Sequence, residues 1–430
     1  MLEKHANAVA KLLLLIQNIC RMRILFFFFA ASLIFTSCAP PPGYEMLFQV
    51  EAGNHYHINN PVYVELENRE FDEDASICLH YGAVTVPGQI ENLDGDRQRI
   101  WWIVNLDPGE SATYGLTVND DCFTDRYDWE RVDEHSTRLL FNGNPVIQYE
   151  HPVFDPDDIE GTKKPFHHVF EPSGDDLITK GPGGLYSHHR GIFYGYNHVY
   201  VNDERIDIWH ANDGERSEHS EIIREFAGPV MGGHEVRIHW KDHDGEPIIE
   251  ETRTIRVFRQ DTGESLIDFA SVLQSADGPV RLEGDRQHAG VQFRASQYVA
   301  DNAEHTSFIR PPNWTDMDPR QEIEGARMYD LPWNAMHFRI NDSPYTVSYM
   351  SHPSNPGDAE MSERLYGRFG EFFPHYLDEN NPLVVHYRFW VKEGEAPSVD
   401  QLDMRYQGFA YPYGVPDSRE GIFGPIRYHY

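Results

Sequence analysis

Positive charge is the first shortage. Lys and Arg number 36 against 69 Asp and Glu, a formal net charge of −33 over 430 residues. Such a chain repels nucleic acid and anionic headgroups at long range, which excludes nucleic acid as a partner. Cysteine is almost absent, with 4 in the sequence, so a disulfide-framework miniprotein is excluded and the fold must rest on a buried core. Long apolar runs are missing after the N-terminal segment, which excludes a polytopic helical membrane fold. There is no P-loop, Gly-x-Gly-x-x-Gly, His-Glu-x-x-His, Cys-x-x-Cys or Gly-x-Ser-x-Gly, so nucleotide chemistry, the common zinc spacings and acyl transfer have no foothold. What is plentiful is aromatic and turn-forming: 13% Phe, Trp and Tyr, with 33 Gly and 28 Pro interrupting nearly every long run. That balance predicts an all-β chain of many strands joined by turns.

At the start, Arg21-Met22-Arg23 precedes apolar Ile24 to Phe35, and Thr36-Ser37-Cys38 leads into Ala39-Pro40-Pro41-Pro42. This reads as an export signal. The small residues before Cys38 resemble the bacterial lipobox, which implies lipidation at Cys38 and an exported periplasmic or outer-membrane lipoprotein that meets the membrane only through its anchor. An ordinary cleaved signal with an incidental cysteine is the other reading. Residues 1–44 are assigned to signal and tether, with 1–21 upstream of a second start at Met22 and read as a misassigned beginning. Cys78 and Cys122 are either bridged in an oxidising compartment or a free buried pair.

From 45 to 125, short alternating runs such as Val62-Tyr63-Val64-Glu65-Leu66, separated by turn clusters, predict a small N-terminal β-sandwich with an accessory role. From 139 to 395 the strands lengthen and form evident hairpins: Glu235 to Trp240, a turn at Asp242 to Glu246, then Ile248 to Phe258. Further strands are expected at Ser265 to Leu273, Val291 to Tyr298, Ala335 to Ile340, Tyr345 to Met350 and Leu383 to Val391. Together they predict two large stacked antiparallel sheets, without a helix of more than three turns. Residues 396–430 form a C-terminal extension.

The densest chemistry lies between Thr179 and Gly195, where Gly181-Pro182-Gly183-Gly184 precedes His188-His189-Arg190-Gly191. Neighbouring residues on a strand face opposite sides, so only one of the two histidines enters a given cleft unless the segment is a loop. His168 belongs to a second His pair. In Asp207-Ile208-Trp209-His210, a tryptophan beside carboxylate and imidazole is either a sugar platform or a core residue. Gln292 and Arg294, at spacing two after His288, line a cleft or a wet outer face. His352 and Asn355 sit in Ser351-His352-Pro353-Ser354-Asn355-Pro356, followed by Arg364 and Tyr366. The catalytic candidates are His188, His189, Arg190, His288 and Tyr366. Substrate contacts are assigned to His168, Asp207, Trp209, His210, Gln292, Arg294, His352, Asn355 and Arg364. His188, His189, Arg190, Trp209, His288 and His352 are expected to converge on one concave face, with Arg190 either lining it as an anion clamp or turned inward to brace the loop. The 23 histidines invite a divalent metal, but no ligand spacing supports one, and no cofactor is predicted.

Taken together, Gly181 to Gly191, Asp207 to His210, Gln287-His288-Ala289-Gly290-Val291-Gln292-Phe293-Arg294 and His352 to Pro356 resemble the bacterial family labelled "PmoA family protein", over roughly Leu139 to Val391. The label refers to methane oxygenation, which requires spanning helices and a copper site, and this chain has no spanning segment beyond its signal. The resemblance implies instead an exported protein of polysaccharide degradation with an architecture similar to the galactose mutarotase-like supersandwich. Base, acid and cation side chains then suggest a carbon–oxygen lyase or dehydratase acting on acidic or oxidised oligosaccharides. A glycoside hydrolase, for which only Asp207 and Asp285 offer carboxyl groups, or a mutarotase-like enzyme is the alternative. A non-catalytic glycan-binding lipoprotein is the second alternative.

Overall fold

The computed structural model describes residues 43–413 except 69, 94, 119–122, 286, 315–327 and 412. The signal, the tether, the Cys38 lipidation site and Cys122 lie outside the described residues. Cys78 is disulfide-bonded.

The chain is all-β, built from antiparallel sheets. Its N-terminal unit is a six-stranded arrangement ordered Met46–Glu51, Ser111–Val118, Ile77–Tyr81, Val84–Asn92, Gln98–Leu106 and His57–Leu66. Alternation on Gln98–Leu106 sends two adjacent tryptophans to opposite sides. Trp102 packs inside the sandwich, 5.8 Å from the Phe48 ring, whereas Trp101 faces the large unit, 5.6 Å from Phe258.

The large unit stacks two eight-stranded sheets. The first runs Glu360–Arg364, Arg368–Phe372, Ala289–Arg294, Ile192–Tyr196, Phe166–Val169, Asn144–Glu150, Ser136–Phe141 and Tyr127–Asp133. The second runs Arg216–Ala227, Met231–Lys241, Pro247–Phe258, Glu264–Ser275, Leu383–Glu393, Ser343–Ser351, Trp333–Ile340 and Ser307–Ile309. Tyr194 and Phe293 of the first meet Trp240, Phe269 and Phe389 of the second across a continuous apolar core. A four-stranded sheet, ordered Glu204–Ile206, His198–Val201, Val280–Glu283 and His375–Leu377, stands beside them.

Three differences from the sequence expectation have physical reasons. The first sheet takes its outermost strand from Tyr127–Asp133, upstream of Leu139, and that strand is polar because it is an edge with mostly exposed residues. The strand expected to reach Tyr298 stops at Arg294, where a short helix, Gln297–Asp301, follows. After residue 395 comes a twelve-residue helix, Val399–Ala410, opened by a reciprocal cap between Ser398 and Gln401. Its Leu402 packs with Trp333 and Trp390 on the outer face of the second sheet, and its Arg405 donates to Ile58 O at 3.0 Å, tying the N-terminal unit to the large one.

Candidate functional site

Alternation in the first sheet sends Ile192, Tyr194, Val291 and Phe293 into the core. Their neighbours Phe193, Gln292 and Arg294 therefore face outward. Register pairs Arg294 with Arg368. Arg368 donates to Gln292 Oε1 at 2.9 Å, Ser362 Oγ at 3.0 Å and Tyr366 Oη at 3.1 Å. The loop from Lys180 to Arg190 lies against this face, with the His189 ring 5.9 Å from Phe193 and 6.2 Å from Tyr366.

The small sheet delivers the other half of the site. Glu204–Ile206 and Val280–Glu283 are both antiparallel to His198–Val201, so they run in the same direction and end at the same side. From those ends come two turns of one design, Asp207 to His210 and Asp285 to His288. Asp207 accepts the His210 backbone N–H at 2.9 Å and its ring Nδ1 at 3.0 Å. Asp285 accepts the Gln287 backbone N–H at 2.7 Å and the His288 ring Nδ1 at 3.0 Å. A carboxylate can only accept, so each Nδ1 carries the proton and each Nε2 is left as the nitrogen that can take one. Burial pushes both carboxyls up, yet the hydrogen bonds from these turns outweigh it and hold both below the ordinary range.

The rings form one cluster. His188 lies 4.3 Å from His189 and 4.6 Å from His210, and His210 lies 4.9 Å from His288. Tyr186 stands 5.5 Å from His189 and 4.9 Å from Tyr366. His210 and His288 are half-buried, while Tyr186 is 47% exposed. Buried cations underlie the cluster. Lys164 donates to Trp209 O, and Lys180 donates to the carbonyls of Gly181, Tyr186 and His189 at 3.1, 3.3 and 3.1 Å, fixing the loop. Burial, then the Lys164 charge and the neighbouring His210, push His188 down to about 2, and burial with Arg368, His188 and Arg294 pushes His189 well below its ordinary value. Both imidazoles are neutral at physiological pH.

Several expected site residues lie elsewhere or do other work. Arg190 is fully buried and turns inward, donating to the carbonyls of Glu160, Gly161 and Lys164, because the short helix Ile159–Thr162 needs donors at its end. It braces the loop. Trp209 is fully buried with Phe166 and Phe193, so no sugar face can stack on it. His352 is on the far side of the molecule: Ser351 points inward to Glu371, and His352 points outward to Phe409 of the C-terminal helix, 5.1 Å away. Convergence of all six named residues therefore fails at His352. Asn355 is bound to the His386 backbone through both ends of its amide, at 2.8 Å each, and is a turn residue there. Arg364 is half-buried at its strand end and donates to Glu363 O at 2.7 Å. His168 is buried at the base of the loop, bonded to Thr179 Oγ1 at 3.0 Å and pushed down to about 4 by burial. The structure does bring together His188, His189, Asp207, His210, His288, Gln292, Arg294 and Tyr366. Sequence reasoning missed Tyr186, Lys164, Lys180 and Arg368. The repeated Asp-x-x-His spacing was a legible signal for the paired turns. Among the described residues, no group of three or more His, Cys, Asp or Glu is arranged to hold a metal ion.

The family described as "Family of unknown function (DUF6807)" matches residues 136–406. The chain belongs to this family. The DUF6807 match takes in the whole cluster and both large sheets except the strand Tyr127–Asp133. No curated protein matches the chain. Among solved structures, OccK2 (OpdF) of Pseudomonas aeruginosa in complex with glucuronate is 8% identical, with 80% of this chain and 96% of that chain covered and a TM-score of 0.14. A second structure of OccK2 (OpdF) is 9% identical, with 82% and 99% covered and the same TM-score of 0.14. Likeness at that level carries no argument.

Proposed function

We propose that the protein is a carbohydrate-active enzyme, a carbon–oxygen lyase of the dehydratase type acting on acidic or oxidised oligosaccharides. The observation that carries this reading is the pair of carboxylate-held imidazoles, His210 and His288, 4.9 Å apart beside neutral His188. One Nε2 removes the proton from the carbon next to a carbonyl or carboxylate. The electron pair forms the C=C bond as the β carbon–oxygen bond breaks, and the other imidazole, entering protonated, returns a proton to the departing oxygen. His188 Nε2, buried without a described partner, donates to the oxygen on which enolate charge develops.

Two observations favour this over its alternatives. A hydrolase needs a carboxyl acid of raised pKa, whereas Asp207 and Asp285 are both held low and both committed to imidazoles. A glycan-binding lipoprotein would use Trp209 and the N-terminal unit as platforms, and the Trp209 ring is in the core. We also infer that the mature chain is exported and lipid-tethered at Cys38. The test is incubation with acidic, oxidised and neutral oligosaccharides, followed by mass and ultraviolet absorbance. Loss of water, or cleavage without uptake of water and with a new unsaturated chromophore, is expected. Uptake of water overturns the lyase reading in favour of a hydrolase, and unchanged mass throughout overturns it in favour of a binding protein.

A further inference from the structure

Three arginines in this chain hold a carboxylate by one edge of the guanidinium, the edge made of Nε and Nη2. Arg253 holds Glu251 at 2.7 and 3.0 Å, Arg388 holds Asp268 at 2.6 and 2.8 Å, and Arg310 holds Glu363 through the same two nitrogens. Arg294 presents that edge without a partner. It is fully buried, its Nη1 donates to the carbonyls of Ala295 and Tyr366, and neither Nε nor Nη2 has an acceptor. Its neighbours Arg368, Lys164 and Lys180 have neutral acceptors for their donors, and among the described residues none of the four forms an ion pair with a carboxylate. Glu160 and Asp207 act on Lys164, Glu160 on Lys180 and Asp301 on Arg294 only from beyond ion-pair distance. Burial pushes Lys164 well below its ordinary value and Lys180 down to about 8, so those two are relieved by giving up the proton, whereas an arginine keeps its charge, and the open edge of Arg294 is the group that calls for an anion from outside.

Resting on the acid–base reading of the same site, we propose that Arg294 seats the substrate's carboxylate through Nε and Nη2, which makes the substrate a uronic-acid-containing saccharide. A carboxylate is planar and presents two oxygens at the spacing of that edge, as the three internal pairs do. What lies over the guanidinium is the Tyr366 ring, 5.1 Å from Cζ, with exposed Tyr186 beside it. Arg294 ends the strand Ala289–Arg294 and His288 precedes it, about 20 Å apart along the backbone at about 3.3 Å per residue, so the carboxylate seated belongs to a neighbouring sugar of the same chain and not to the carbon that loses its proton.

The test is calorimetric binding of galacturonate, glucuronate and mannuronate trimers, each compared with its methyl ester, and of inorganic sulfate. At least one acid is expected to bind wild-type protein about tenfold or more tighter than its ester. Arg294→Lys, which keeps the charge and loses the edge, should bring that acid to the level of the ester. The wild-type comparison stands even if the variant does not fold. Equal binding of acid and ester, binding of no acid, or displacement of the acid by sulfate at equal concentration overturns the proposal. His288→Asn separates the two readings, since it should abolish turnover while leaving the acid-over-ester preference. Preference without turnover of any saccharide would sink the lyase and leave the seat, and turnover without preference would do the reverse.

Discussion

The imidazoles of His210 and His288 lie 4.9 Å apart at the ends of two turns that share one design, each ring held through Nδ1 by the aspartate three residues before it. Two parallel-running strands of one small sheet supply both turns. Their spacing is therefore set by the interstrand geometry and not by loop packing. That gives the pair a rigidity that proton transfer requires.

Asp285→Asn and Asp207→Asn should each lower kcat by about 10²- to 10⁴-fold with a smaller effect on KM. An amide can donate to Nδ1, which moves the imidazole proton to Nε2 and blocks the nitrogen that must accept. Steady-state kinetics on whichever saccharide is turned over reads this directly. A loss confined to KM would mean that the aspartates bind substrate instead of orienting the rings.

Trp209 and Tyr186 should separate stability from binding. Trp209→Ala removes a fully buried ring and is expected to cost about 3–5 kcal/mol in urea unfolding. Tyr186 is 47% exposed and held at φ 54°, so Tyr186→Gly should leave stability within about 1 kcal/mol while raising KM. An unchanged KM in the Tyr186 variant would remove that ring from the site.

His352→Ala should leave turnover unchanged, because both stacked sheets lie between His352 and the cluster. Loss of its contact with Phe409 should reduce stability by about 1 kcal/mol, seen as a lower urea midpoint. A large fall in kcat without unfolding would contradict the placement.

Cys38→Ala should abolish membrane fractionation and palmitate labelling of the expressed full-length chain. Retained labelling would show that the anchor lies elsewhere.

Strand alternation and hairpin turns made the stacked sheets legible, because a strand buried on one face writes a period of two into its text, as Glu235 to Trp240 does. The strand Tyr127–Asp133 was illegible for the converse reason: an edge strand is solvated, and its charges read as a linker. In the site, residue type revealed His188, His189 and His288 but not orientation. Trp209 and His352 had the right chemistry on the wrong face, and only burial and sheet order could sort them. The cations Lys164 and Arg368 were missed because nothing in a sequence distinguishes a buried lysine or arginine from a surface one.

Glu371 offers a pH test of the core between the sheets. Burial pushes its carboxyl up to about 7, more than the hydrogen bonds from Ser351 and Tyr387 pull it down. The folded state therefore binds the proton more tightly than the unfolded one. Its contribution to stability is fully present below the ordinary carboxyl value of about 4.5, falls as pH rises, and is gone above about 7. A raised pKa of this size corresponds to a contribution on the order of 3 kcal/mol. The buried histidines act in the opposite sense: His234 is pushed down to about 3, and groups of that kind lose stability as pH falls. The wild-type profile alone therefore mixes both signs, and the informative quantity is the difference between wild type and Glu371→Gln, which keeps the size and the hydrogen-bonding amide but cannot ionise. Urea unfolding between about pH 5 and pH 8 should show the variant gaining on wild type as pH rises, with the gap levelling off above about 7. A gap that stays constant across that range would mean Glu371 is ionised, or solvated, in the folded protein.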